Sequence, residues 1–311
     1  MPVDRDPVSV LVPTPEWTPA CEDLAGQLRA GDELLVICDS ASDPVAGRGT
    51  PAGVEVLVAG EPAGCSGKAN AMAYGMERAE NDRFVWTDAD FRRDDDWLDE
   101  LVSAGRAHGP ATAIPYFYGD GWWRLVEAWT VVFSTLPFYL GVGNWGGNAW
   151  GGGVTFTRED LEVGELIDDL RTVLSDDGLL SQHLGGTHPV RSMVTPVEVS
   201  GALGDVANRA IRFNRLTHVH EGHYATVAVG VVLVAAAVLA TLPTALGSTA
   251  LLAVIYRLLG IERRTVLLAF PGMFAVPFGA ASGIVCREFE WAGRRYRVDG
   301  EHEVEVVSGR A

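Results

Sequence analysis

Two aspartates separated by one residue follow a short apolar segment of the chain. The segment 83–87 (Arg-Phe-Val-Trp-Thr) leads directly into Asp88-Ala-Asp90. Mg²⁺ and Mn²⁺ prefer oxygen ligands, and one or two carboxylates plus substrate phosphates are enough to hold them. We therefore interpret Asp88 and Asp90 as a site for a divalent cation. Acidic turns also contain such pairs, so this interpretation depends on the residues around them.

Two other charged residues lie where a phosphate or a nucleoside could be bound. Lys68 is the one lysine among 24 basic residues, and it follows a glycine-containing loop that opens a predicted helix. A helix N-terminus with a compact ammonium group suits a phosphate, although a lysine at random on the surface is the alternative. Asp39 ends a predicted strand and could accept hydrogen bonds from a base or ribose. Its alternative role is an Asx-turn or a helix cap.

Apolar strand-like segments alternate with helical patterns over the first two thirds of the chain. The predicted strands are 8–13, 34–38, 54–58, 84–87 and 111–116, and the predicted helices are 16–30, 69–79 and 96–107. This alternation predicts an α/β fold with a doubly wound sheet, in which ligands bind beyond the carboxyl ends of the strands. Neither GxGxxG nor GxxxxGK[ST] occurs in the sequence, so the usual dinucleotide and P-loop sites are not supported.

The composition argues against several classes of binding partner. The 311 residues carry a formal net charge of −17, which disfavours a nucleic-acid-binding surface and electrostatic docking on anionic lipid. An acidic excess with almost no lysine resembles the proteins of halophilic archaea, whereas a GC-rich genome alone would replace lysine by arginine without this charge. The four cysteines form no CxxC pair, so neither a zinc site nor a disulfide framework is expected.

Two long segments near the end of the sequence contain no charged residue, namely 224–256 and 265–286. A membrane-spanning helix needs about 20 apolar residues. We predict one span around 226–242, a turn at Pro243 and Gly247, a tilted or re-entrant piece over 247–260, and a span over 265–286 that is kinked at Pro271 and Pro277. A buried soluble bundle is the alternative. Arginines follow both segments and favour an even number of crossings, but two and three remain open.

Several motifs occur in an order that resembles a known family. They are Asp39, Gly-Lys68-Ala-Asn-Ala, Trp-Thr-Asp88-Ala-Asp90, the segment 150–161, Ser175-Asp176-Asp177, Arg209-Ala-Ile-Arg212-Phe213 and Trp291-Ala-Gly293-Arg294-Arg-Tyr296. This order resembles the GT-A glycosyltransferases, within them the inverting family that includes cellulose and hyaluronan synthases, and most of all the ceramide glucosyltransferase-like membrane enzymes. The sequence departs from the family motifs at Asp176, where Glu is usual, and at Phe213, where Trp is usual.

The resemblance implies a role for each motif. Thr14 and Asp39 hold the nucleoside, and Lys68 contacts the donor. Asp88 binds the ribose or the metal, and Asp90 binds the metal at the diphosphate. Asp177 is the general base. Arg209, Arg212 and Phe213 close over the diphosphate and the acceptor. The alternatives are that Asp176 and Asp177 cap a helix, and that the two arginines lie at a membrane interface.

The resemblance also divides the chain and implies a function. It predicts a GT-A domain over 1–205, an interfacial segment over 206–223, two or three transmembrane helices over 224–286, and a tail over 287–311. The implied enzyme is a cytoplasmic-face, multi-pass membrane glycosyltransferase that uses Mg²⁺ or Mn²⁺. It moves a sugar from a nucleotide donor, foremost a UDP-sugar, to a lipid or polyprenyl-phosphate acceptor. A processive polysaccharide synthase and a catalytically inactive scaffold are the alternatives.

Two further patterns remain open at this stage. His218, His220 and His223 lie within six residues and could bind a metal, although packing at the membrane–water interface is favoured. The aromatic segment 121–142 is either an amphipathic helix at that interface or a buried core helix.

Overall fold

Seven strands form the central sheet of the protein. The computed structural model describes residues 5–141, 147–221 and 224–309. The strands are β1 (Val8–Pro13), β2 (Glu33–Cys38), β3 (Val54–Val58), β4 (Arg83–Thr87), β5 (Ala111–Gly119), β6 (Gly153–Thr157) and β7 (His188–Val199). Their order is β3-β2-β1-β4-β6-β5-β7. β6 runs antiparallel to β4 and β5, whereas β1 to β4 are parallel to one another, as are β5 and β7. The predicted α/β fold with a mixed, mainly parallel sheet is confirmed.

Helices cover both faces of this sheet, which is why its central strands are apolar along their length. Ten of the twelve residues in β1 and β2 are buried. The accompanying helices are α1 (Pro19–Ala25), α2 (Gly67–Arg78), α3 (Trp97–His108), α4 (Trp123–Thr130), α5 (Leu136–Leu140), α6 (Val163–Leu170) and α7 (Asp176–Leu184). The first helix is shorter than predicted because the Asp32 carboxylate accepts a hydrogen bond from the Arg29 backbone N–H (2.7 Å) and holds that segment in a turn.

The aromatic segment forms one helical stretch from α4 through a π-helical turn (Val131–Thr135) to α5. Trp123 and Trp129 are buried in it, whereas Trp122 is 55% exposed and Leu140 is 44% exposed. Part of the stretch therefore packs as a core helix, and its ends carry apolar side chains on the surface. Residue 142, the last of the predicted segment, lies outside the described residues.

Five helices follow the central sheet. They are α8 (Leu203–Glu221), α9 (Tyr224–Leu239), α10 (Thr241–Leu258), α11 (Ala269–Met273) and α12 (Val276–Val285). Among the described residues, α10 is the one single helix long and apolar enough to cross a membrane. The segments Arg264–Met273 and Val276–Val285 meet that criterion together, but they are bent by 62°. The apolar part of α9, Val227–Leu239, is shorter.

The predicted turn at Pro243 and Gly247 is wrong. The break between the two apolar helices lies at Ala240, and both predicted turn residues belong to α10. Pro243 is accommodated because it lies in the first turn of that helix, where a backbone N–H has no partner within the helix. The segment 265–286 is bent as predicted, but the bend lies between Met273 and Val276 and not at Pro271 or Pro277, which belong to the helices on either side of it.

A buried carboxylate links the central sheet to the apolar helices. Glu127 of α4 is fully buried and accepts hydrogen bonds from Tyr116 of β5 (3.0 Å) and from Arg263 (3.1 Å). It also accepts hydrogen bonds from Thr265 and from Tyr256 of α10. A buried carboxylate requires such partners, because an unpaired charge in the interior is costly.

Glu127→Ala is therefore expected to destabilise the protein by about 3 kcal/mol, because it leaves several buried donors and the Arg263 charge without their acceptor. This corresponds to a melting temperature lower by about 6–12 °C in detergent. Glu165→Ala, at an exposed position of α6, is the matched control and is expected to leave the melting temperature unchanged. Equal melting temperatures for the two variants would contradict this account of the network.

The residues expected to form a tail fold into a second sheet. Its antiparallel strands are β8 (Glu288–Trp291), β9 (Arg294–Gly300) and β10 (Glu303–Ser308). Arg215 of α8 attaches this sheet by donating hydrogen bonds to the backbone oxygens of Val298 (2.9 Å) and Asp299 (3.0 Å). The chain thus returns to the α/β domain after the apolar helices.

Candidate active site

One cavity of about 950 Å³ brings the predicted site residues together. Its lining includes all nine of them: Thr14, Asp39, Lys68, Asp88, Asp90, Asp177, Arg209, Arg212 and Phe213. They come from the ends of β1, β2 and β4 and from the helices α2, α7 and α8. The cavity therefore lies at the carboxyl ends of the parallel strands, where ligands bind in open α/β sheets.

Lys68 connects two acidic segments of the cavity. It lies in the first turn of α2, whose N-terminus is capped by the Ser66 hydroxyl accepting a hydrogen bond from the Ala69 N–H (3.0 Å). Its Nζ is 2.7 Å from Asp88 Oδ1 and 3.3 Å from Asp176 Oδ2. Burial opposes the charge of the ammonium group, but the two carboxylates outweigh burial and raise the pKa of Lys68. The ammonium group is therefore charged and held between the two segments.

The adjacent carboxylates at the start of α7 differ in their surroundings. Asp176 is buried, and burial raises its pKa to about 7 although Lys68 opposes this. Asp177 is half-buried, and its Oδ1 accepts hydrogen bonds from the Ser175 hydroxyl (2.7 Å) and the Gly178 N–H (2.9 Å). Ser175 is the residue that caps the helix, since its hydroxyl also accepts a hydrogen bond from the Gly178 N–H. Asp177 therefore lies in the first turn and not at the cap position.

Asp88 and Asp90 follow β4 at the mouth of the cavity. Asp90 remains accessible to solvent, yet the protein atoms around it and the neighbouring Asp88 charge raise its pKa to about 6. Two close carboxylates that repel each other fit a divalent cation, which also prefers oxygen ligands. The described residues contain no group of three or more His, Cys, Asp and Glu side chains arranged to hold a metal. A cation at this pair would therefore also need oxygen ligands from a substrate or water.

Arg93 supports this pair and was missed in the sequence. Its buried guanidinium donates hydrogen bonds to the backbone oxygen of Asp88 and to the Thr87 hydroxyl, and lies 4.0 Å from the ring centroid of Phe91. Burial lowers the pKa of Arg93 to about 10, which leaves it protonated at neutral pH. The chain between β4 and α3 is thereby fixed. The signal in the sequence was the arginine three residues after Asp90, which a charged surface turn also explains.

Two arginines of α8 face aromatic rings inside the cavity. Arg209 lies within 6 Å of the ring centroids of Phe117, Trp123 and Phe213, and Arg212 lies 5.0 Å from Phe213 and 4.9 Å from Trp291. Burial and the Arg209 charge lower the pKa of Arg212 to about 10. Phe213, which replaces the Trp of the family motif, provides a ring to both cations. Cations on aromatic faces keep their charge available for an anion.

The glycine-rich segment before β6 allows the acidic groups to approach the backbone. A Cβ on Gly151 would lie 2.7 Å from Asp176 Oδ2 and 2.8 Å from Lys68 Nζ. Both distances are shorter than van der Waals contact. The glycine is therefore required by the close approach of this ion pair to the chain.

Gly151→Ala is expected to lower kcat/KM of the reaction that the motifs imply by about tenfold to a hundredfold, because overpacking costs about 1–3 kcal/mol and here displaces the Lys68–Asp176 pair. Initial rates at several donor concentrations measure this. Gly164→Ala is the control, since a Cβ at Gly164 has no neighbour within 4 Å. A Gly151→Ala enzyme with wild-type kinetics would show that the pair tolerates displacement.

The two residues predicted to hold a nucleoside also line the cavity. Thr14 is buried, and its hydroxyl donates a hydrogen bond to the backbone oxygen of Glu16 (2.7 Å). The carboxylate of Asp39 forms an ion pair with Arg294 of β9, with 2.6 Å between Asp39 Oδ2 and Arg294 Nη1. Arg294 was noted in a family motif, but the sequence did not place it in the site.

The histidine segment lies between the second sheet and the start of α7, where a Cβ on Gly178 would be 3.4 Å from His220 Nε2. His220 Nδ1 is 3.1 Å from Glu301 Oε1, and the ring of His218 lies edge-on to Tyr224. His223 lies outside the described residues. As far as this part of the chain is described, the histidines contact the second sheet and α9.

One solved structure shares much of this architecture. A mannosyltransferase from Pyrobaculum calidifontis, solved with GDP-Man and Mn²⁺, matches 91% of this chain and 87% of its own, with 17% identity and a TM-score of 0.51. Glucosyl-3-phosphoglycerate synthase from Mycobacterium tuberculosis, in complex with phosphoglyceric acid, matches 62% and 71%, with 18% identity and a TM-score of 0.36. At such identities the likeness concerns the fold, which for the first of these is that of a GT-A glycosyltransferase.

Sequence comparison identifies the family. No curated protein matches the sequence significantly. The model of glycosyl transferase family 21 matches residues 50–292, well over half of the chain, and this range contains most of the cavity residues described above. The chain therefore belongs to glycosyl transferase family 21, the ceramide glucosyltransferase-like family that its motifs resemble.

Proposed function

We propose that the protein is a metal-dependent, inverting glycosyltransferase that moves a sugar from a nucleoside-diphosphate donor, foremost a UDP-sugar, to a lipid or polyprenyl-phosphate acceptor at the cytoplasmic membrane. One observation carries this proposal. The carboxylate pair Asp88 and Asp90, the candidate base Asp177 and a set of apolar side chains line the same cavity. Donor, base and lipid can therefore meet in one place.

The chemistry is a single in-line displacement at the anomeric carbon. With a hydroxyl acceptor, Asp177 takes the proton of the hydroxyl, its oxygen forms the new bond to the anomeric carbon, and the bond to the diphosphate oxygen breaks with the electron pair on the leaving group. Inversion follows because the acceptor attacks opposite the leaving diphosphate. A positioned base contributes about 10²–10⁴-fold.

Positive groups of the chain stabilise the leaving diphosphate. Lys68, Arg209 and Arg212 line the cavity around the two acidic segments. Because these cations are fixed before the reaction, they require no rearrangement as negative charge develops. A divalent cation at Asp88 and Asp90 would neutralise further charge on the diphosphate. The Mn²⁺ and GDP-Man in the related mannosyltransferase structure support this assignment of the donor and metal.

The apolar part of the cavity supports a lipid acceptor. It is lined by side chains of α4, the π-helical turn, α5 and α12: Trp129, Val132, Phe133, Phe138, Val276 and Ala280. A hydrocarbon chain against such a wall gains about 25 cal/mol for each Å² of apolar surface removed from water. The exposed apolar surface of α10 supports attachment to a membrane on the same side of the molecule.

The proposal is tested with the purified protein in detergent at high salt, as its charge of −17 indicates for a halophilic source. Release of nucleoside diphosphate is measured with a panel of nucleotide sugars, Mn²⁺ or Mg²⁺, and lipids extracted from a halophilic archaeon. We expect release that requires both metal and lipid and that falls at least tenfold in Asp90→Asn. Asp95→Asn, in the exposed turn after the pair, is the control. Metal-independent release, or release without lipid, would overturn the corresponding part of the proposal.

A further inference from the structure

An arginine from the second sheet reaches the nucleoside end of the cavity. Arg294 follows Asp39 by 255 positions in the sequence, yet the two side chains form an ion pair and are 1% and 7% exposed. The other terminal nitrogen of Arg294 binds Glu61, whose side chain is 67% exposed. Its Nε–H has no hydrogen-bond partner among the described residues. Both Asp39 and Arg294 line the cavity.

The local chain is built to hold this arginine in place. β8 and β9 are joined by a two-residue turn at Ala292 and Gly293, both with positive φ (50° and 76°), as tight hairpin turns require. Tyr296, two residues further along β9, accepts a hydrogen bond from the Gly67 N–H at the start of α2 (3.2 Å). The hairpin thus fixes Arg294 against the first turn of α2.

The backbone beside the pair would hold a side chain only in tight contact with it. A Cβ on Gly67 would lie 3.1 Å from Asp39 Oδ2 and 3.2 Å from Arg294 Nη1. The residue next to Gly67 is Lys68, which contacts Asp88. The buried pair is therefore connected through one turn of helix to the part of the cavity assigned to the diphosphate.

Stability alone does not account for such a pair. A buried ion pair costs about as much in desolvation as it gains, and apolar side chains of similar volume often stabilise a protein as well or better. What the pair does provide is a hydrogen-bond acceptor next to a hydrogen-bond donor. Each carboxylate oxygen has two lone pairs and can accept more than one hydrogen bond, and a guanidinium group carries five N–H donors.

This arrangement matches one class of nucleobase. Uracil and guanine each present a ring N–H beside a carbonyl oxygen, whereas cytosine and adenine present a bare ring nitrogen beside an amino group. The resemblance already assigns Asp39 to the nucleoside; we infer that Arg294 completes this contact with the base, so that the pair selects uracil or guanine nucleotides over those of cytosine and adenine. In this arrangement Asp39 accepts from the ring N–H, and Arg294 donates to the carbonyl oxygen. The inference rests on the proposed function, because it assumes a nucleotide donor.

The test measures the affinity of the full chain in detergent for UDP, GDP, CDP and ADP with Mn²⁺ by calorimetry. The wild type is expected to bind UDP or GDP about tenfold to a hundredfold more tightly than CDP and ADP, since hydrogen bonds to charged groups discriminate by that much. Arg294→Lys keeps the charge but loses the planar fork, so the preference should fall to about threefold or less with CDP affinity nearly unchanged.

Two more variants make the result decisive. Arg295→Lys changes the next residue of β9, which pairs with Glu290 on the exposed side, and should retain the wild-type preference. Asp39→Asn provides an amide that suits cytosine, so it should weaken UDP binding more than CDP binding, and it serves if Arg294→Lys does not fold. Equal binding of all four nucleotides by the wild type, or an unchanged preference in Arg294→Lys, overturns the inference and leaves the proposed function standing. If the wild type binds none of them, both fail together.

Discussion

Replacing Asp177 with asparagine is expected to lower kcat by about 10²–10⁴-fold, because the acceptor hydroxyl then has no base to take its proton. The affinity for nucleoside diphosphate should change little. The asparagine amide oxygen can still accept the hydrogen bonds that Asp177 accepts from Ser175 and Gly178, so the start of α7 keeps its geometry. The variant therefore separates loss of basicity from loss of structure.

Initial rates with saturating donor measure kcat, and calorimetric titration with nucleoside diphosphate measures its affinity. Asp168→Asn, at an exposed position of α6, is the matched control. Asp176→Asn distinguishes the two neighbouring carboxylates. Asp176 is engaged by Lys68, so its replacement should affect donor affinity first. A larger fall in kcat for Asp176→Asn than for Asp177→Asn would assign the base to Asp176 instead.

Lys68→Met is expected to weaken both the fold and donor binding. Asp176 is 2% exposed, and removing its cation leaves a buried carboxylate unpaired, which costs about 3–5 kcal/mol. The loss of a charge-assisted hydrogen bond to the diphosphate should lower donor affinity by about tenfold to a hundredfold. Arg78→Met, on the exposed end of α2, controls for the loss of a surface cation on the same helix.

The same variant makes a prediction about pH. Burial raises the pKa of Asp176 to about 7, above its value of about 3.9 in an unfolded chain. Between these values the folded protein binds more protons than the unfolded one, so its stability falls as pH rises from about 4 to 7. Without Lys68 the pKa of Asp176 rises further, and the loss of stability should continue above pH 7.

Melting temperatures measured from pH 4.5 to 8.5 test this dependence. The double variant Lys68→Met/Asp176→Asn should show no fall in melting temperature above pH 7.

The contact between Lys68 and the donor has a second readout, because Lys68 is the one lysine of the chain. In protein with ¹³C-labelled lysine, the Cε of Lys68 therefore gives the one lysine signal in an NMR spectrum, and nucleoside diphosphate with metal should shift that signal. An unchanged signal in the presence of the nucleotide would contradict a contact between Lys68 and the donor.

The sequence was most informative about the residues at strand and helix ends. Asp39, Lys68 and Asp88 could be related to one another because the carboxyl ends of neighbouring parallel strands must meet at one edge of a sheet. Topology therefore placed them in one region before any contact was known. The bounds of β1 and β3 also followed from apolar segments limited by prolines, glycines and charged residues.

Contacts between distant parts of the chain could not be predicted in this way. No periodicity relates Arg294 to Asp39, because their proximity depends on how α8 orients the second sheet. The segment 287–311 was taken for a tail since its strands are short and half-exposed, and such strands carry a weak hydrophobic pattern. Arg93 was missed for a similar reason. Its burial depends on Phe91 and Trp97, whose packing the local pattern does not fix.

The anchoring of the chain on either side of its apolar helices has a consequence for topology. α8 is joined to the second sheet by Arg215, Arg263 donates a hydrogen bond to the backbone oxygen of Gly119 (2.7 Å), and Arg294 pairs with Asp39. Arg215 lies before the first uncharged segment, Arg263 lies between the two segments, and Arg294 follows the second. All three contact the α/β domain or the second sheet. Each apolar segment therefore leaves the α/β domain and returns to it, and we call each of them an apolar loop.

If these loops insert into a bilayer, each of them enters and leaves it through the same leaflet. The far point of the first loop is Ala240, between α9 and α10, and the 18 residues of α10 measure about 27 Å, close to the thickness of a hydrocarbon core. The second loop bends by 62° halfway along its length. Arginines at the feet of both loops would then face the same compartment as the α/β domain.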